Sequence, residues 1–127
     1  MKKVTVLIVD DSSVMRKIVE RSLRQSGMEI ERVLEADNGQ KALDLVPQGH
    51  PDVILSDINM PAMDGLEFVR QLQGLEEAKG IPVVMITTEG SQSRVMEALS
   101  LGARGYIRKP FTSEQVREQV MPLVKGE

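Results

Sequence analysis

Short apolar runs recur along this chain, and each is followed by a segment with helical spacing or capping signals. Residues 4–9 and 81–86 are nearly continuous runs of this kind, and residues 53–55 form a shorter one. Strands that are apolar on both sides are typical of a parallel sheet covered by helices on both faces. Strand and helix patterns alternate without a repeat or linker, which predicts a single α/β domain over residues 1–127.

The remaining strands have weaker signals. Residues 32–36 have charged flanks, which favours an edge of the sheet, and residues 105–107 predict a short fifth strand. Right-handed crossovers leave few ways to wind such a chain, and strands one, three and four are the most apolar. We therefore expect a doubly wound sheet in the order 2-1-3-4-5. Asn38 is expected to cap a helix that ends at Val46, because Pro47 follows.

Composition excludes several classes of function. The chain has no cysteine, which excludes disulfides and thiol chemistry, and its single histidine, His50, cannot form a histidine metal cluster. The net charge of −3 gives no reason to expect nucleic acid or a membrane surface as a partner. The first apolar run ends at Asp10 and is too short for a signal peptide or membrane span. We therefore expect a cytoplasmic protein. A monomer is also expected.

Polar residues follow four of the predicted strands, at the edge where ligands bind to such sheets. In chain order they are Asp10 and Asp11, then Asp57 with Asn59, then Thr87, and finally Lys109. Neighbouring carboxylates are unfavourable without a cation, since two charges ~4 Å apart repel by about 4 kcal/mol at an effective dielectric near 20. Oxygen ligands without histidine or cysteine favour Mg²⁺. A carboxylate beside such an ion is a nucleophile suited to phosphoryl transfer.

Each of these residues also has an ordinary interpretation. Asp10 and Asp11 suit the start of a helix through the helix dipole, and Asp57 alone suits a loop. We prefer the interpretation as a functional site, because the alternative requires every one of these residues to have an unrelated structural role at the same edge of the sheet. Four arginines are expected to form a solvated face: Arg94, Arg104, Arg108 and Arg117.

The motifs resemble those of response-regulator receiver domains, and most of all the stand-alone chemotaxis type, the CheY family. The resemblance covers nearly the whole chain, in these motifs: Val-Asp10-Asp11, Asp57-Ile-Asn59-Met-Pro61-Xaa-Met-Asp-Gly65, Ile86-Thr87 and Gly-Tyr106-Ile-Xaa-Lys109-Pro110-Phe111. It implies the flavodoxin-like (βα)5 fold and Asp57 as the phospho-acceptor. It also implies Mg²⁺ on the side chains of Asp11 and Asp57 and the backbone of Asn59, with Asp10 acting through water.

The resemblance implies further roles and partners. Lys109 assists the chemistry, Thr87 and Tyr106 move together on phosphorylation, and Asn59 and Glu89 control how long the phosphate lasts. It also implies a cis peptide between Lys109 and Pro110. Thr88 departs from the family, which usually has a smaller residue at this position. The implied partners are a CheA-like sensor histidine kinase, an output protein such as the flagellar motor switch that binds residues 91–124, and a phosphatase. Such a protein is not an enzyme beyond assisting its own phosphorylation and dephosphorylation.

Three alternatives stay open. A receiver of a phosphorelay intermediate or of a non-chemotaxis pathway would carry the same motifs. A phosphatase of the haloacid dehalogenase kind would place its nucleophile after strand one with a second acid two residues on, where this chain has Ser12. A flavin-binding module of the same topology needs a Ser/Thr/Gly phosphate loop after strand one and aromatic residues on the flavin ring, whereas this chain lacks that loop and has one tyrosine and two phenylalanines.

Overall fold

A computed structural model describes residues 3–88 and 92–124. Within them, five strands form one sheet: β1 Val4–Val9, β2 Ile30–Ala36, β3 Val53–Asp57, β4 Val83–Thr87 and β5 Gly105–Arg108. The strand order is β2-β1-β3-β4-β5, and every neighbouring pair is parallel. The predicted α/β class and strand order are confirmed.

Helices cover both faces of the sheet. They are α1 Ser13–Gln25, α2 Gly39–Gly49, α3 Gly65–Gln73, α4 Gln92–Ser100 and α5 Ser113–Val124, with a 3-10 turn at Glu76–Ala78. Along β1, Val6 and Ile8 pack with α1 and α5, whereas Leu7 and Val9 pack with α2, α3 and α4. This alternation explains the continuous apolar runs, since both sides of the central strands are buried. None of these helices is long and apolar enough to cross a membrane.

Short polar side chains begin three of the helices. Ser12 Oγ accepts a hydrogen bond from the backbone N–H of Met15 at 3.1 Å, which starts α1 directly after the acids that follow β1. Asn38 caps α2 and Asp64 caps α3 in the same way. Each cap satisfies an N–H that has no partner inside the helix. The caps therefore fix where each chain segment leaves the carboxyl edge of the sheet.

The second helix is longer than its sequence predicts. The prediction that α2 ends at Val46 is wrong, because Pro47 lies inside the helix, which continues to Gly49. A proline removes one backbone hydrogen bond, and in the last turn that loss does not break the helix. The helix ends instead at His50, which adopts a left-handed conformation with φ of 48° and donates its N–H to the Val46 carbonyl.

Candidate functional site

Asp57 is the last residue of β3 and lies at the carboxyl edge of the sheet. It is buried, and its Oδ1 accepts a hydrogen bond from the backbone N–H of Ile58 at 2.8 Å. Its other carboxylate oxygen, Oδ2, lies 3.7 Å from Nζ of Lys109. The backbone thus fixes one oxygen of this carboxylate, and the second oxygen is directed at the neighbouring cation.

Three carboxylates meet at this edge. Asp10, Asp11 and Asp57 each offer an oxygen, and these oxygens all lie within 4.8 Å of one another. Asp10 and Asp57 are buried, whereas Asp11 is exposed. The donors are all hard oxygens, which is the set that Mg²⁺ prefers in proteins. The cluster therefore fits such an ion, and its exposed member leaves a side open to solvent.

Lys109 directly follows β5 and is the cation of the site. Its Nζ lies 3.4 Å from Asp10 Oδ2, and it bridges this oxygen to Asp57 Oδ2. The Lys109 backbone N–H donates to the Thr87 carbonyl at 2.6 Å, and the peptide bond to Pro110 is cis, as the resemblance implies. The cluster combines one ammonium with three carboxylates, so it retains a net negative charge when all three are ionised.

The pKa of Asp57 is shifted upward, mainly because the carboxyl group is buried. Burial is the largest influence and raises the pKa of Asp57 above its ordinary value, and the nearby Asp10 carboxylate raises it further. Lys109 and the backbone N–H groups of Ile58 and Asn59 act in the opposite direction without cancelling the effect. Adding a cation to the cluster would therefore stabilise the ionised, nucleophilic form of Asp57.

Thr87 and Tyr106 lie on the neighbouring strands β4 and β5. Thr87 is buried, and its hydroxyl donates to the Thr88 carbonyl at 3.2 Å. Tyr106 is exposed at the surface, where α4 and α5 flank β5. Both residues line a cavity of about 400 Å³ between these elements. The structure thus brings the two residues to one cavity, with space beside Thr87 that a side chain could enter.

The loop from β3 to α3 is closed tightly behind Asp57. The backbone N–H of Gly65 donates to the Ile58 carbonyl at 2.7 Å. A Cβ added to Gly65 would lie 2.2 Å from the carbonyl oxygen of Asp57, much closer than any ordinary contact. A glycine is therefore required at this position for the loop to approach the acceptor residue so closely.

Arg94 is the residue that sequence analysis assigned wrongly. Rather than lying on a solvated face, its guanidinium donates to Asn59 Oδ1 and to Asp64 Oδ2. Asn59 and Arg94 are 35 positions apart, and no local pattern links them. Sequence analysis also missed Arg16, which donates to the Asp10 carbonyl at 2.6 Å and to Glu35 Oε1 at 2.7 Å. Arg16 therefore holds the backbone at Asp10, and Arg94 holds two side chains of the loop that follows Asp57.

Some predicted features are not tested by this geometry. Glu89, predicted to control the phosphate lifetime with Asn59, lies outside the described residues. Thr88 is exposed, and its carbonyl accepts from Thr87. Ser12 stands where a haloacid dehalogenase needs its second acid, and its side chain caps the N-terminus of α1.

Comparison with known proteins identifies the class defined by this fold and its acidic edge. The family model of the response regulator receiver domain matches residues 6–121. The chain therefore belongs to the response regulator receiver family, as its motifs predict, and is a response regulator of two-component signalling. Receiver domains of this kind are signalling proteins.

Several relatives carry chemotaxis names. CheY-3 of Vibrio cholerae is 40% identical over 119 residues, which cover 94% of this chain and 90% of that protein. CheY1 of Helicobacter pylori is 41% identical over 116 residues, which cover 91% of this chain and 92% of that protein. The solved structure of CheY4 of Vibrio cholerae superposes with a TM-score of 0.82 at 36% identity, covering 96% of this chain and 99% of that one.

Proposed function

We propose that this protein is a phosphorylation-controlled switch of the chemotaxis type, with Asp57 as its phospho-acceptor. The observation that carries the proposal is the buried Asp57 carboxylate, which lies against Lys109 within a cluster of three acids. The names of the relatives support a chemotaxis pathway. By the same analogy, the donor is a CheA-like histidine kinase and the output partner is the flagellar motor switch.

The phosphoryl transfer is a substitution at phosphorus. An Asp57 carboxylate oxygen forms the new bond to phosphorus as the bond from phosphorus to the kinase histidine nitrogen breaks, and the imidazole leaves. Lys109, already 3.7 Å from Asp57 Oδ2, is placed to offset the negative charge on the phosphoryl oxygens. Among the described residues, the Thr87 hydroxyl bonds only to the Thr88 carbonyl next to it, so it can turn and donate to a phosphoryl oxygen.

The acidic cluster would hold the Mg²⁺ that such transfer requires. The side chains of Asp11 and Asp57 and the Asn59 carbonyl are the proposed ligands, with Asp10 acting through water. When bound, the ion supplies positive charge that neutralises phosphoryl oxygens. The chain itself keeps Asp57 in place through the Ile58 N–H and holds Asp10 between Lys109 and the N–H of Ser12.

Phosphorylation would change the output surface through Thr87 and Tyr106. The phosphoryl group adds a charge of nearly −2, which draws the Thr87 hydroxyl toward it. Tyr106 then turns from the surface into the cavity that both residues line. Inverting such an equilibrium from 1:99 to 99:1 needs about 5.5 kcal/mol of differential stabilisation. The changed face of α4, β5 and α5 is the surface that the partner would bind.

The direct test is phosphorylation with acetyl phosphate and Mg²⁺, followed by intact mass spectrometry. The wild type and Asp44→Asn, which alters an exposed acid on α2, are expected to gain one phosphoryl group. Asp57→Asn is expected to gain none. The proposal fails if the wild type is not labelled or if Asp57→Asn still is. Labelling that survives Asp57→Asn and disappears with Asp10→Asn would instead support the haloacid dehalogenase alternative.

A further inference from the structure

One arginine ties the loop after the acceptor residue to helix α4. Arg94 lies in the first turn of α4, and its Nη1 donates to Asn59 Oδ1 at 2.5 Å. Its Nη2 donates to Asp64 Oδ2 at 2.7 Å, while Asp64 Oδ1 caps α3 through the Glu67 N–H. The guanidinium therefore bridges the two ends of the loop that leads from β3 to α3.

The chemistry of the contact fixes the orientation of the Asn59 amide. A guanidinium has donors and no acceptor, so the oxygen of this amide must face Arg94 and the NH2 must face away. The backbone N–H of Asn59 lies close enough to the Asp57 carboxylate to lower its pKa. Arg94 therefore orients the side chain of a residue whose backbone lies beside the acceptor.

Asp64 keeps the guanidinium in this position. Burial would raise the pKa of Asp64, but the hydrogen bonds from the Glu67 N–H and from Arg94 hold that pKa below its ordinary value. Asp64 is therefore ionised at neutral pH and remains a partner for Arg94. The Arg94 side chain is only 35% exposed, and both of its bonds are charge-assisted.

We infer that Arg94 is a positioning residue that commits the Asn59 amide oxygen to α4 and thereby lengthens the life of the phosphate on Asp57. The inference rests on the proposed function. In hydrolysis a water oxygen bonds to phosphorus, the bond from phosphorus to the Asp57 oxygen breaks, and the carboxylate and H2PO4− are released. An attacking water is oriented by an acceptor for its proton, and Asn59 Oδ1 is a weaker acceptor for that water while one of its lone pairs is bound to Arg94.

The test measures loss of the phosphoryl group after a small-molecule donor, such as phosphoramidate, has been removed. Arg94→Met is expected to lose its phosphate about three to ten times faster than the wild type, the range that corresponds to the net contribution of one typical hydrogen bond. Arg94→Lys should lie between them, because an ammonium lacks the planar fork that reaches both partners. Arg104→Met, which removes an exposed arginine before β5, is the matched control and should match the wild type.

Combining Arg94→Met with Asn59→Ala distinguishes an effect of Arg94 on the Asn59 side chain from a general loss of structure. In Asn59→Ala, adding Arg94→Met should cause no further acceleration, because the group through which Arg94 acts is gone. The Asn59 side-chain NH2 signals in NMR spectra of the unphosphorylated protein should shift in Arg94→Met and remain unchanged in Arg104→Met.

Three outcomes would overturn the inference while leaving the proposed function intact. The first is an unchanged phosphate lifetime in Arg94→Met. The second is that Arg94→Met accelerates phosphate loss equally in the wild type and in Asn59→Ala. The third is that the Asn59 side-chain NH2 signals do not shift in Arg94→Met. If Arg94→Met does not fold, the same comparisons apply to Arg94→Lys. A wild type that takes up no phosphoryl group would overturn both the inference and the proposed function.

Discussion

Replacing Lys109 with methionine removes an ammonium between two buried carboxylates and keeps much of the side-chain volume. Its Nζ lies 3.4 Å from Asp10 Oδ2 and 3.7 Å from Asp57 Oδ2. At an effective dielectric of about 20 these attractions are ~5 and ~4.5 kcal/mol, before the cost of burying the ammonium is subtracted. Removing one partner of a buried pair typically costs about 3–5 kcal/mol. We expect a loss of about 3 kcal/mol at pH 7 without metal.

Urea unfolding in a metal-free buffer between pH 5 and 8 measures this loss. Burial already raises the pKa of Asp57, and removing Lys109 takes away an influence that lowers it. Folded Asp57 then binds more protons than the unfolded chain between its ordinary pKa and its raised one. Stability therefore falls as pH rises through that window, more steeply in Lys109→Met than in the wild type. The deficit should shrink toward acid pH and on adding Mg²⁺.

Lys41 provides a matched control at a similar distance. Its Nζ lies 3.2 Å from Asp37 Oδ1, but its side chain is 63% exposed, against 15% for Lys109. Solvent screens such a pair, and Lys41→Met should cost less than about 0.5 kcal/mol at every pH. The electrostatic argument is refuted if the two variants lose the same stability, or if the deficit of Lys109→Met does not depend on pH.

Three further substitutions test the site. Asp57→Asn should unfold at higher urea than the wild type at neutral pH, by about 1 kcal/mol, because burial disfavours the charge; equal or lower stability would contradict this. Gly65→Ala should cost more than about 3 kcal/mol in thermal unfolding, since its Cβ would meet the Asp57 carbonyl, whereas Gly74→Ala, with 3.7 Å of space, should change little. Asp11→Asn should reduce the rise in melting temperature that Mg²⁺ produces, and Asp44→Asn should not; an unchanged rise would remove Asp11 from the metal site.

The fold was largely predictable because both sides of the central strands are buried. Residues 4–9 are apolar except for Thr5, so a buried strand was the natural prediction. Parallel pairing then places the carboxyl ends of strands at one edge, which predicted that Asp10, Asp57 and Lys109 meet there. The end of α2 was not predictable in this way. Pro47 is a strong signal against a helix, and the left-handed turn at His50 has no equally strong signal in the sequence.

Contacts between side chains from distant elements were the part that sequence could not supply. Arg94 follows no motif, and its partners Asn59 and Asp64 become neighbours only when α4 packs beside the loop after β3. An arginine on the exposed side of a helix is usually solvated, so the local pattern favours the wrong assignment. Only the packed structure distinguishes this arginine from the others on the same segment.

The distance along the chain between Asp10 and Lys109 has a consequence for how the protein folds. These residues are 99 positions apart, whereas Asp10 and Asp57 are brought together as soon as β1 pairs with β3. In a partly folded state in which β1 pairs with β3 but β5 has not yet joined the sheet, Asp10 and Asp57 lie together without the ammonium of Lys109. When β5 joins the sheet, Lys109 offsets the repulsion between these two carboxylates. The charges of the proposed phosphorylation site therefore also favour completion of the sheet. The last strand thus gains a driving force that the first strands lack.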